Sequence, residues 1–134
     1  VIVIDASALT KFLLREPGWQ DVGEALKEGA FSVDMVIKET CNAVLKRYRR
    51  GEMSLEEVDS ILMALKTLRG AALKVENEAT YIDETVRFAL EKGTTVYDAL
   101  YIVYSKAKNS TLLTADSAQA KTASNEGVKV RYVE

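Results

Sequence analysis

Four carboxylates occupy positions where a charge is hard to explain by solvation alone. Asp5 directly follows the apolar run VIVI, and Asp116 stands two residues past the strand formers Thr111 to Thr114. Asp98 heads a stretch, Ala99 to Tyr104, that holds no other charge, and Glu39 lies early in a helical pattern. The chain has no histidine and one cysteine, so Ser-His-Asp and Cys-His catalysis and imidazole-bound zinc are excluded. If the four acids converge, their mutual repulsion demands either protons or cations. A donor set made only of oxygen suits a hard ion, Mg²⁺ or Mn²⁺, and such an ion makes an acidic cleft hospitable to a phosphodiester.

Each acid also has a plainer reading. Asp5 and Asp116 both precede a helix, where Asp is a favoured N-cap. Asp98 is expected to be withdrawn from water, because a helix that is apolar all round is usually buried. The helix N-terminus returns only a few tenths to about 1 kcal/mol for that charge. Glu39 lies nearly opposite the stripe Ile37, Cys41, Val44 and Tyr48, and can equally be an exposed residue paired with Lys46. Asp34 competes for its role but sits right after a strand, where an N-cap or an added ligand are the two options.

The elements that position these residues follow from periodicity and punctuation. VIVI (Val1 to Ile4), Phe31 to Val33, Ala72 to Val75, Thr111 to Thr114 and Val128 to Val133 read as strands. Helices are expected from Ala6 to Leu14, Trp19 to Lys27, Asp34 to Gly51, Leu55 to Gly70, Glu78 to Glu91, over the stretch headed by Asp98, and from Ser117 to Ser124. Ser54 and Glu57 have the S-x-x-E spacing of a capping box. Leu55, Val58, Leu62, Leu65 and Leu68 mark one face of the helix that follows, for internal packing or a dimer. Apolar strands separated by helices predict an α/β three-layer sandwich with a parallel sheet of about five strands. Sites in such sheets form beyond the carboxyl ends of the strands, where Asp5 and Asp116 fall.

The 134 residues, 48% of them hydrophobic, suffice for one domain over residues 1–134, with no linker or repeat. A net charge of −2 gives no overall basic field to attract nucleic acid. The dense basic patch is KRYRR, with Lys46, Arg47, Arg49 and Arg50 suited either to an RNA backbone or to a helix C-terminus. No membrane span is visible, and a lone Cys41 on the apolar stripe suits a reducing cytoplasm. Trp19 is expected to pack near a loop.

Together these segments resemble the PIN-domain ribonucleases, in particular the VapC-type toxins of prokaryotic toxin–antitoxin pairs. VIVIDASAL is similar to the family's opening strand and first acid, which maps to Asp5. IKETCNAVLKRY carries the second at Glu39, and YDALYIVYSKAKNSTLLTAD resembles the D-A … L-x-T-x-D signature, mapping Asp98 and Asp116. Ser7 and Thr114 match hydroxyl positions that support the acids. The resemblance implies metal-assisted hydrolysis of RNA to a 5′-phosphate and a 3′-hydroxyl, with Mg²⁺ or Mn²⁺ held by the four acids. It also implies a homodimer, a cognate antitoxin seated in a groove, and a cytoplasmic location. A receiver domain fits poorly, since the third strand runs into Glu76-Asn77 and no suitable Lys precedes the last. A haloacid-dehalogenase-like phosphatase lacks the second Asp of D-x-D, at Ser7. A catalytically silent PIN fold that binds proteins is the remaining alternative.

Overall fold

The computed structural model describes residues 2–134, so Val1 of the expected first strand lies outside them. The strands are β1 (Ile2–Ile4), β2 (Ala30–Val33), β3 (Leu73–Glu76), β4 (Thr111–Thr114) and β5 (Val130–Tyr132). The helices are α1 (Ala6–Leu13), α2 (Trp19–Lys27), α3 (Met35–Arg49), α4 (Leu55–Ala71), α5 (Ile82–Lys92), α6 (Val96–Lys108) and α7 (Ser117–Asn125). The strands form one five-stranded sheet in the order β3-β2-β1-β4-β5, all pairs parallel. The expected α/β three-layer sandwich is therefore the observed fold. The order differs from the 2-1-3-4-5 of receiver domains, which removes that alternative on topology as well as on residues.

β1 and β4 run through the middle of the sheet, and Val3, Ile4, Leu112 and Leu113 are completely buried. That is why both strands lack the polar alternation of a half-exposed sheet. Helices α1 and α3 pack on one another, while α6 lies across β1, β2 and β4 and against α5. Every residue of α6 from Ala99 to Ser105 is buried, as its unbroken apolar pattern requires. A buried serine in β2 ties that strand to its neighbour. Ser32 Oγ donates to the carbonyl of Ile4 at 2.7 Å, just where β1 ends.

Several expectations shift by a turn or a face. Asp34 does not cap α3, because its own backbone is already helical (φ −63°, ψ −19°) and its side chain cannot fold back on the first turn. Its carboxylate instead accepts the N–H of Glu78 at 3.0 Å, opening the 3₁₀ turn Glu78–Tyr81 that precedes α5. In α3 the buried face is Met35, Val36, Thr40 and Val44, one residue round from the expected stripe. Cys41 is only partly buried there, and Tyr48 is exposed. In α4 Leu65 is buried but Leu55 and Leu62 are exposed. Gly70 does not stop α4, which continues to Ala71, whereas Gly93 (φ +68°) does end α5 in the left-handed region that favours glycine. Trp19 packs on Phe12 and under Arg15, as a loop-side residue should.

The capping box forms as its spacing predicts, with Ser54 Oγ accepting from Glu57 N at 3.1 Å and Glu57 Oε1 from Ser54 N at 3.0 Å. Ser54→Ala is expected to cost about 1 kcal/mol and lower the melting temperature by a few degrees. Thermal unfolding followed by circular dichroism checks this, and an unchanged midpoint would show that α4 is held by packing alone.

Candidate active site

The chain leaves β1 for β2 and β3 on one side, then returns to place β4 on the other side of β1. The crevice at such a switch point is where parallel sheets bind ligands. The register Ile4↔Leu113 and a further bond from Asp5 N–H to the Leu113 carbonyl (3.2 Å) put Asp5 level with Thr114. Asp5 is 3% exposed. Its Oδ1 accepts from Ser7 Oγ (2.6 Å) and from Ala8 N (3.1 Å), and its Oδ2 from Thr114 Oγ1 (2.5 Å). Ser7 Oγ in turn accepts from Ala115 N at 2.8 Å, and Thr114 Oγ1 from Asp116 N at 3.1 Å. The two hydroxyls named from sequence thus tie the end of β1 to the loop after β4.

Asp5 is therefore both an N-cap and a buried acid, and the two readings are one fact. Burial is the main reason its pKa rises to about 6, with the charge of Asp116 adding to it against the three hydrogen bonds. Asp116 is exposed and caps α7 with one oxygen, Oδ1, which accepts from Ala118 N and Gln119 N. Its other oxygen is left for the cleft.

Glu39 is half-buried and bonded to α6, not to Lys46: Tyr101 Oη donates to its Oε1 at 2.6 Å. Burial raises its pKa, and the charges of Asp98 and Glu78 push in the same direction. Asp98 departs from expectation. Although α6 is buried from Ala99 onward, the Asp98 side chain at its start is exposed. Its backbone is held at both ends, by Thr95 Oγ1 on the N–H (3.2 Å) and by Gln119 Nε2 on the carbonyl (3.0 Å).

Asp5 feels the charge of Asp116, and Glu39 feels those of Asp98 and Glu78. Tyr101 feels both Glu39 and Asp5, and its phenol is held neutral by burial first and by Glu39 next. Among the described residues, no three acidic, histidine or cysteine side chains already close on one ion-sized space. The donor chemistry nevertheless fits a hard divalent cation: oxygen only, partly desolvated, and mutually repelled. A hollow of ≈ 370 Å³ beside them is lined by Ser7, Glu39, Ala115, Lys11 and Glu16. Another, of ≈ 470 Å³ between Ile2, Gly29 and Leu73, lies at the opposite ends of the strands, remote from the acids.

The basic patch divides. Arg47 is taken by Glu16, with Glu52 at 3.6 Å, so it is an internal brace between α3 and the loop after α1. Lys46, Arg49 and Arg50 are exposed. Tyr101 and Gln119 were not singled out from sequence. Tyr101 offered a signal, since it follows Asp98 by three residues on one helical face and a buried Tyr hydroxyl needs a partner. Gln119 offered none.

Comparison with known proteins decides the kinship. The sequence pattern of the PIN domain matches residues 2–125. The chain belongs to the PIN-domain family. This PIN domain is 30% identical over 122 residues to Ribonuclease VapC3 of Pyrobaculum aerophilum, spanning 90% of this chain and 92% of the relative. Its fold matches the crystal structure of PAE2754 from Pyrobaculum aerophilum with a TM-score of 0.73 and 25% identity, over 96% of this chain and 89% of that one. It also matches VapBC2 from Rickettsia felis bound to a promoter DNA fragment (TM-score 0.67, 16% identity, 99% and 98% covered). FitAcB from Neisseria gonorrhoeae gives 0.63 and 16%, with 97% and 96% covered.

Two outcomes follow for this PIN domain. The folded-state pKa of Asp5 lies above its ordinary value of 3.8, so the stability of the protonated form is fully present below about pH 4 and is lost as pH rises through about 6. Asp5→Asn in EDTA is expected to stabilise the fold at pH 7.5 by about 1–3 kcal/mol and to do so far less at pH 4. Urea midpoints at the two pH values measure the difference; a variant weaker than wild type at pH 7.5 contradicts it. Tyr101→Phe removes the bond that orients Glu39 and should lower Mg²⁺ affinity by roughly 10- to 100-fold, read by calorimetric titration.

Proposed function

We propose that the chain is a metal-dependent endoribonuclease, the toxin of a VapBC-type toxin–antitoxin pair. One observation carries the reading: a carboxylate, Asp5, is buried at the switch point of the sheet in a form that costs free energy to ionise unless a cation lies beside it. Membership of the PIN-domain family and the likeness to a relative named a ribonuclease support it. Asp5, Asp98 and Asp116 would hold Mg²⁺ or Mn²⁺, with Glu39 in direct or water-mediated contact. When bound, the ion supplies Lewis-acid polarisation of the phosphoryl group and a nucleophilic water at neutral pH.

The chain's own residues do the rest. Ser7 and Thr114 hold the Asp5 carboxylate with both oxygens directed by hydroxyl donors, so its position is set before substrate arrives. Tyr101 does the same for Glu39. Either Asp5 or Asp98 would take the proton of the attacking water. Lys46, Arg49 and Arg50 are exposed and would follow the RNA backbone, while Arg47 is committed to Glu16.

The partners proposed are an RNA substrate, a second copy of the chain and a cognate antitoxin. Exposed apolar residues on the α3–α4 half, Leu45, Tyr48, Leu55, Leu62 and Met63, support a protein partner. No helix among the described residues is long and apolar enough to cross a membrane; the cytoplasmic location is proposed from the family resemblance. Purified protein should cleave a mixed RNA pool with Mg²⁺ or Mn²⁺, stop with EDTA, and lose roughly 10²-fold or more as Asp98→Asn. Cleavage that persists in chelator or in the variant defeats the assignment. A preparation that binds metal and leaves RNA intact supports the silent protein-binding module.

A further inference from the structure

Glu39 has two sides. One faces the hollow beside Ser7 and Ala115; the other lines a larger cleft of ≈ 860 Å³ between α3, α5 and α6. The floor of that cleft is apolar, made by Met35, Ile82 and Leu100, the first and last of them buried. Its rim carries Tyr97, 64% exposed and next in the chain to Asp98. Lys38 and Asn42, one residue before Glu39 and three after it, present an exposed ammonium and an exposed amide along the α3 wall.

This combination discriminates between occupants. An amphipathic helix from a protein partner needs a groove whose wall is apolar at successive turns. Here the α3 wall is polar, with Lys38, Glu39 and Asn42 over one turn, and Glu78 adds a second carboxylate from the turn before α5, so the apolar part is confined to the floor and to Val96 and Tyr97. A flat ring that is apolar on its faces and polar around its edge satisfies both parts. Nucleobases have that form, and unpaired ones are recognised by aromatic stacking together with hydrogen bonds to the exposed edge. Bases inside a duplex are excluded, because their faces are already stacked and the A-form major groove is too narrow for side chains to read.

We infer that this cleft is a nucleobase subsite, in which an unpaired base next to the scissile phosphate stacks on Tyr97 while Asn42 reads its edge. The inference rests on the ribonuclease reading and adds to it the residues that choose where the strand is cut. Lys38, exposed on the α3 wall, would meet the phosphate next to the bound base. Asn42 has an acceptor and two donors, so it distinguishes bases by the order of donors and acceptors on their edges. Tyr97 stacks on any base, which gives affinity without choice. Affinity and specificity are thus assigned to different side chains.

The test compares wild type, Tyr97→Ala, Tyr97→Phe and Asn42→Ala on single-stranded RNA randomised around the cut, at several protein concentrations. Melting temperature and the Mg²⁺-induced rise in melting temperature serve as controls for fold and metal site. Tyr97→Ala should lower kcat/KM by roughly 5- to 150-fold, mainly through KM, while Tyr97→Phe stays near wild type. Asn42→Ala should keep most of the rate and flatten the base preference beside the cut. A Tyr97→Ala protein that cleaves like wild type overturns the subsite alone. So does a loss that disappears at high protein concentration together with a shift from dimer to monomer in sedimentation, since Tyr97 would then belong to an interface between copies. Wild type that cleaves no RNA ends both readings.

Discussion

One buried carboxylate organises this molecule. Asp5 sits at the end of a central strand with almost no exposure, and three hydrogen bonds from Ser7, Ala8 and Thr114 only partly offset its loss of water. Each donor belongs to a piece of chain that must be in place for the bond to exist: the first turn of α1 for Ser7 and Ala8, the end of β4 for Thr114. The seam between β1 and β4 is therefore fixed by ladder register and by side chains together. A group this costly to ionise is poor material for stability, and its place at the switch point supports the role proposed for it.

The three aspartates share a local setting. Asp5 and Asp116 cap α1 and α7, and Asp98 is in the first turn of α6. Helix N-termini favour negative charge by about 0.3–1 kcal/mol each, enough to bias carboxylates toward ionisation and too little to hold several together. Capping and ligand binding are compatible because a carboxylate has two oxygens. In Asp116 one serves the helix, and the other stays available. Glu39 reaches the same region from a helix interior and needs Tyr101 to hold it.

Charge elsewhere on the surface serves structure as often as binding. Glu76, at the end of β3, is held by Tyr104 and Lys108, and that bonding outweighs its partial burial in keeping its pKa low. Arg47 is locked between Glu16 and Glu52. A dense run of basic residues in a sequence thus resolves into a brace and a solvated remainder once the neighbouring loop is placed. The cleft around Tyr97 shows the converse, since nothing in the linear order marks a tyrosine before an aspartate as the rim of a hollow.

Local signals in the sequence were sufficient for the strands, for most helix ends and for the capping box, because those depend on residues within a few positions of one another. The order of acids along the chain, with the motif around Asp98 and Asp116, was also sufficient for the family. Tertiary structure alone decided how each acid is used. The aspartate expected to be buried, Asp98, is exposed although the rest of its helix is buried, whereas Asp5 is buried at the seam of β1 and β4. Asp34 turned from cap to cross-brace, and Arg47 from RNA contact to ion pair. Burial and partner choice are set by segments distant in sequence, and a periodicity of 3.6 or 2 carries no record of them.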